Sequence, residues 1–183
     1  MLLKKKPILN QKNNPLHILL FIKTMFKLLF VCHGNICRSP MAEFIMKKLI
    51  SDEGLSERIF VASCATSGEE IFCGRGNPVY PPAKAELLKH GITCDGKRAM
   101  RLTAADADKY DLFIGMDSEN IYNMLKILGK AAAPKIKKLP EFAGSAGDIA
   151  DPWYYGNFER TYEEIEASCK GLLETIKRTE ELI

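Results

Sequence analysis

The sequence has no CxxC pair, no apolar run of membrane-spanning length, no internal repeat and, across residues 1–24, no acidic side chain. The first absence removes the usual paired thiolates of a zinc site, so no metal is expected. The second removes a transmembrane helix: the apolar stretch Leu16–Ile22 falls far short of the roughly 20 residues that a span needs. No small-residue cleavage site follows that stretch, so no secretory signal is expected and the cytoplasm is the default compartment. Six cysteines at irregular intervals outline no extracellular disulfide framework, and a chain of 183 residues can bury a core without one. The formal charge of +3 belongs to residues 1–24, where Lys4, Lys5, Lys6, Lys12 and Lys23 have no acidic counterpart; the rest carries 21 basic and 23 acidic residues. A net of −2 is no footprint for a phosphate backbone, so neither nucleic acid nor a membrane is an expected partner. Residues 1–24 are expected to be a disordered extension, with Met25 as a natural start, and residues 25–183 one domain.

What is present, 46% hydrophobic and 27% charged residues, is ordinary globular composition. Strand and helix patterns alternate without an internal linker, which predicts a single doubly wound α/β domain: a four-stranded parallel sheet with helices on both faces. Lys27–Cys32 reads as a buried central strand. Ser39-Pro40 reads as a helix cap and first residue, followed by Ala42, Ile45, Met46 and Leu49 at helical spacing. Ile59–Ser63 and Asp111–Gly115 read as strands, Pro82–His90 as a helix ended by Gly91, and Asp117 as the cap of a helix facing inward through Ile121, Met124, Leu125 and Leu128. A short strand is expected around Lys135–Lys138, and a last helix from Phe158 with the stripe Ile165, Cys169, Leu172 and Ile176.

The segment Cys32-His33-Gly34-Asn35-Ile36-Cys37-Arg38-Ser39 puts a thiol at the end of a strand and an arginine at the start of a helix. A loop of that length can wrap its N–H groups around an oxyanion, and the helix N-terminus adds partial positive charge. Arg38 can add a bidentate fork to two phosphate oxygens, and Gly34 allows close approach of the backbone. The same field favours the Cys32 thiolate, and a hydroxyl at Ser39 can donate to the sulfur. A carboxylic acid on a facing loop would protonate the leaving oxygen and then, as carboxylate, activate water. A cysteine and an arginine six apart are weak evidence alone; the strand before, the glycine within and the helix start after give them weight.

The run Val31–Pro40 resembles the phosphate-binding loop of the low-molecular-weight protein tyrosine phosphatases, and Asp151-Pro152-Trp153-Tyr154 resembles their general-acid loop. Ala65–Gly68, His90-Gly91-Ile92 and Met116-Asp117 follow in family order, and the resemblance runs from about Met25 to the carboxyl end. It implies Cys32 as nucleophile, Arg38 as phosphate and transition-state binder, and Asp151 as general acid and then base. Phosphate-binding positions would be His33, Gly34, Asn35, Ile36, Cys37 and Ser39, with Trp153 and Tyr154 lining the mouth against an aryl ring. Asn35, Ser39, Ser63 and His90 match the supporting hydrogen-bond network. His90 reads equally as a helix-end histidine favoured by the dipole, and Ser63 as an ordinary strand-end hydroxyl. Cys37 matches a second loop cysteine able to form a reversible disulfide with the nucleophile, or simply fills the loop. No cofactor is implied, and the expected partner is a phosphotyrosine protein or a small aryl phosphate, acted on by a monomer or weak dimer.

Glu69 stands where many members have an aromatic wall, and Phe72–Arg75 reads as extra loop. Together with His33 these bear on substrate preference; an acidic Glu69 would repel acidic phosphopeptides. A thioredoxin-coupled arsenate reductase would need a close downstream cysteine pair, which Cys64, Cys73 and Cys94 do not provide. Protein arginine phosphatases tend to carry threonine where this chain has Ile36. A silent phosphopeptide-binding module is disfavoured because both Cys32 and Asp151 are present.

Overall fold

The computed structural model describes residues 25–181. The expectations for residues 1–24 lie outside the described residues. The first strand, β1 (Phe26–Cys32), pairs in parallel with β2 (Ile59–Ala65) on one side and β5 (Leu112–Gly115) on the other. The last strand, β6 (Ile136–Lys138), pairs with β5, giving a four-stranded parallel sheet of order β2-β1-β5-β6. Between lie α1 (Arg38–Asp52), a two-stranded hairpin of β3 (Ile71–Phe72) and β4 (Arg75–Gly76), α2 (Pro81–Lys89) and α3 (Ser118–Leu128). A one-turn α4 (Pro152–Tyr155) and the long α5 (Phe158–Thr179) complete the chain.

Buried strands must be apolar on both faces, and β1 shows why its run is unbroken. Leu28, Phe30 and Cys32 join the cluster made with α1, α2 and α5, where Met41, Ile45, Leu87, Ile165, Cys169 and Leu172 pack. Leu29 and Val31 point to the opposite face, against Met124 and Leu128 of α3. The helices therefore cover both faces, as the alternation of patterns predicts.

The chain runs from β1 outward to β2, then returns to the other side of β1 to build β5. That reversal opens a crevice beyond the carboxyl ends of β1 and β5, the place where open α/β sheets bind ligands. Two details differ from the sequence reading. The cap position of α1 is Cys37, with no side-chain hydrogen bond, because the Ser39 hydroxyl inside the first turn is turned back toward the Cys32 sulfur. The extra loop Phe72–Arg75 is the tip of the β3–β4 hairpin, whose Gly76 lies so close to the Ala99 carbonyl that an added Cβ would come within 1.9 Å.

Candidate active site

The loop His33–Cys37 turns the chain from β1 into α1 with Asn35 in the left-handed region, φ 57°. Asparagine tolerates that region better than most residues, and here its buried side chain secures it. Asn35 Nδ2 donates to Ser39 Oγ at 2.9 Å and to Ser63 Oγ at 2.8 Å, while Oδ1 accepts from the Met100 N–H at 3.0 Å. The Cys32 Sγ, nearly buried, lies 3.0 Å from Ser39 Oγ and accepts from the Asn35 backbone N–H at 3.3 Å. Gly34 stands where a Cβ would meet Glu70 Cγ at 3.0 Å.

Arg38 is buried at the other end of the loop. Its Nη1 donates to Asp117 Oδ2 at 2.6 Å and its Nη2 to Asp151 Oδ2 at 2.5 Å. Burial works against the guanidinium charge, but the Cys32 sulfur and the Asp151 and Asp117 carboxylates outweigh it and hold the pKa above its ordinary value. Asp117 has two duties: through Oδ1 it caps α3 at the Asn120 N–H, as its position after β5 predicts, and through Oδ2 it grips Arg38. The segment before Asp151 is pinned to the sheet and to α5. The Ile149 N–H donates to the Met116 carbonyl at 2.9 Å, and the Thr161 hydroxyl to the Ala150 carbonyl at 3.2 Å. Asp151 then accepts from the Trp153 N–H at 3.1 Å, starting α4.

These groups share a cleft of about 360 Å³, lined by Cys32, His33, Gly34, Ile36, Cys37 and Arg38 from the loop and by Asp151, Trp153 and Tyr154 facing them. Trp153 both lines the cleft and packs its ring 5.1 Å from that of Tyr80. Tyr154 is largely exposed. His33 Nε2 meets Glu69 Oε2 at 2.9 Å at the mouth, which also carries Glu70 and Glu119. The Cys37 thiol is buried beside Cys32, and burial first, then the neighbouring sulfur and Asp151, push its pKa well above the usual thiol range.

His90 is not brought to the site. Its ring stacks on Tyr162 with centroids 3.7 Å apart and pairs with Glu86 at 3.5 Å, on the α2–α5 side. The network it was expected to join is instead completed by two residues that the sequence reading passed over. Ser63 Oγ donates to Glu43 Oε2 at 2.6 Å, and Lys97 Nζ lies 2.8 Å from the same oxygen and donates to the Ser63 carbonyl at 2.9 Å. Glu43 carried a signal, an acid inside the apolar face of α1 between Ala42 and Ile45; Lys97 lies in a segment without periodicity and carried none. Among the described residues, no cluster of side chains could hold a metal ion.

A strand-end thiol in an amide-lined loop, a helix-start arginine and a facing carboxylate define a cysteine-centred, oxyanion-binding α/β site. The sequence pattern of the family described as low molecular weight phosphotyrosine protein phosphatase matches residues 27–182. The low molecular weight protein-tyrosine-phosphatase YfkJ of Bacillus subtilis is 37% identical over 160 residues, 86% of this chain and 100% of that protein. The human low molecular weight phosphotyrosine protein phosphatase is 36% identical over 151 residues, 80% of this chain and 92% of its own length. The crystal structure of YfkJ superposes with a TM-score of 0.80, covering 85% of this chain and 97% of that one. The chain therefore belongs to the low molecular weight phosphotyrosine protein phosphatase family.

Proposed function

We propose that the protein is a cysteine-dependent protein tyrosine phosphatase, hydrolysing phosphotyrosine and aryl phosphate monoesters through a phosphocysteine on Cys32. The observation that carries this reading is the placement of Cys32 Sγ beneath the loop, 3.0 Å from Ser39 Oγ and in one cleft with Arg38 and Asp151. A phosphate dianion seated on the loop amides would take over the Arg38 Nη2 donor now given to Asp151. That exchange frees the Asp151 carboxyl to face the ester oxygen. The sulfur attacks phosphorus in line, the S–P bond forms as the P–O bond breaks, and Asp151 gives its proton to the departing aryl oxygen. In the second half the Asp151 carboxylate takes a proton from water, which attacks phosphorus and releases inorganic phosphate and the thiolate. Arg38 and the loop amides balance the charge of the transferring group throughout, so the mechanism uses no metal.

The aryl preference is supported by the lining: Ile36 and the Trp153 ring both give the cleft apolar surface against which a phenyl group can pack. We read a reducing compartment, the cytoplasm, from six free cysteines and a thiol nucleophile, and a monomer or weak dimer as the working species. Among the described residues, no helix is long and apolar enough to cross a membrane. The test is phosphate release from p-nitrophenyl phosphate and from a phosphotyrosine peptide at mildly acidic pH, comparing the unsubstituted chain with Cys32→Ser. The expected result is turnover of both substrates that disappears in the variant. Turnover retained by Cys32→Ser, or none by the folded, reduced protein, would overturn the reading.

A further inference from the structure

We propose that Thr161 and Glu164 of α5 are positioning residues for Asp151: they clasp the peptide units on both sides of Ala150 and keep the carboxyl facing the cleft once phosphate has taken its arginine partner. The proposal rests on the reading of Asp151 as general acid. Asp151 Oδ2 is held by Arg38 Nη2 at 2.5 Å, and a phosphate seated on the loop takes that donor for itself. The carboxyl then keeps the Trp153 N–H on Oδ1 at 3.1 Å, a bond within its own one-turn helix. Its place over the cleft is therefore set by the backbone that carries it.

That backbone is anchored one peptide unit at a time. The unit before Ile149 hangs from the residue after β5, the Ile149 N–H donating to the Met116 carbonyl at 2.9 Å. The next has Arg38 Nη1 3.4 Å from the Ile149 carbonyl at one end and, at the other, the Ala150 N–H donating to Glu164 Oε2 at 3.1 Å. The third, which carries the Asp151 nitrogen, has its Ala150 carbonyl 3.2 Å from the Thr161 hydroxyl. That hydroxyl also reaches the Asn157 carbonyl at 3.1 Å, a three-centre arrangement common at helix ends. The buried Ile149 side chain holds its own residue, but the ψ of Ile149 and both torsions of Ala150 lie between it and the acid. The clasp from α5 fixes those torsions. Thr161 and Glu164, three residues apart, share one face of the helix, and Arg160 Nε donates to Glu164 Oε1 at 2.8 Å, which leaves Oε2 for Ala150. Beyond the clasp, Pro152 keeps Asp151 extended, at φ −81° and ψ 110°.

The test uses the full chain and two esters that differ in their need of an acid, p-nitrophenyl phosphate and phenyl phosphate. The quantity compared is kcat/KM, which reports the steps through formation of the phosphocysteine. Thr161→Val keeps the shape and removes the hydroxyl; Glu164→Ala removes the acceptor. Each is expected to lower kcat/KM about tenfold more for phenyl phosphate than for p-nitrophenyl phosphate, since a displaced acid forfeits part of the roughly 10²–10⁴-fold that such a group supplies. Thr161→Ser, which restores a hydroxyl, should return the ratio of the two esters to that of the unsubstituted protein. A ratio unmoved in both variants, with only melting temperatures lowered, would show a merely structural role and overturn the proposal. If Thr161→Val does not fold, the ester ratio of Glu164→Ala decides the matter. A second readout needs no turnover: Trp153 is the single tryptophan of the chain and stands two residues beyond Asp151. Its fluorescence anisotropy, measured in saturating inorganic phosphate, should fall in both variants. Should the unsubstituted protein hydrolyse neither ester, the functional reading fails, and this anisotropy still judges the clasp: a fall supports it and an unchanged value overturns it.

Discussion

Single residues at this site carry more than one bond each, and that is how a small loop holds a strained backbone and a reactive sulfur together. Asn35 keeps its left-handed φ because three contacts from three different segments bind its side chain; no buried side-chain nitrogen or oxygen among the described residues is left without a partner. Glu43 anchors the outer end. Burial disfavours its charge, but Lys97, Lys47 and Ser63 outweigh it, so its pKa lies below the ordinary 4.5. A carboxylate lowered on folding stabilises the protein above its unfolded pKa and loses that contribution as pH falls through the folded value. The unsubstituted protein should therefore lose melting temperature steeply as pH drops from about 5 towards about 3, whereas Glu43→Gln should start lower at neutral pH and lose less. Parallel acid profiles in thermal melts would refute that assignment. Much of the site was legible at this scale: Cys32, Arg38 and Asp151 meet in one cleft, as the two motifs imply. Of the two readings open for His90, the helix-end one holds: it caps α2, and Tyr162 and Glu86 capture its ring away from the cleft.

At the scale of elements, the strand-loop-helix unit was readable because each part has its own signal: an unbroken apolar run, a glycine, and a proline within the first helical turn. The boundaries moved where side chains had tertiary work. Ser39 left the cap of α1 for the sulfur, and the strand expected over Lys135–Lys138 shortened to Ile136–Lys138 because a 3-10 turn containing Pro134 occupies the residues before it. Contacts between elements had no local signature at all. Gly171 in α5 is one: an added Cβ would lie 1.9 Å from the carbonyl oxygen of Phe142. Alanine is the better helix former by about 1 kcal/mol, so an isolated helix would gain from the change. Here the backbone of the 3-10 turn at Leu139–Ala143 must move, and overpacking of that kind costs about 1–3 kcal/mol. Gly171→Ala is thus expected to melt several degrees below the unsubstituted protein; an increase in melting temperature would mean that the α5 contact is looser than described.

For the molecule as a whole, the order β2-β1-β5-β6 does the gathering. It places the nucleophile loop after β1 and the Asp117 hook after β5 side by side, and pins the Asp151 segment across them through Met116 and α5. The central claim is covalent chemistry at Cys32, and it predicts a species that can be caught. A p-nitrophenolate leaving group needs little help from an acid, so Asp151→Asn should still form the phosphocysteine but hydrolyse it slowly for want of a base. Rapid mixing of Asp151→Asn with p-nitrophenyl phosphate, an acid-free quench at low temperature and peptide-resolved mass spectrometry should find one phosphoryl group on the peptide containing Cys32, absent when Cys32→Ser is added. Turnover by the unsubstituted protein with the phosphoryl group on another residue, or with none trapped on Cys32 under any quench that preserves a phosphothiol standard, would contradict the account.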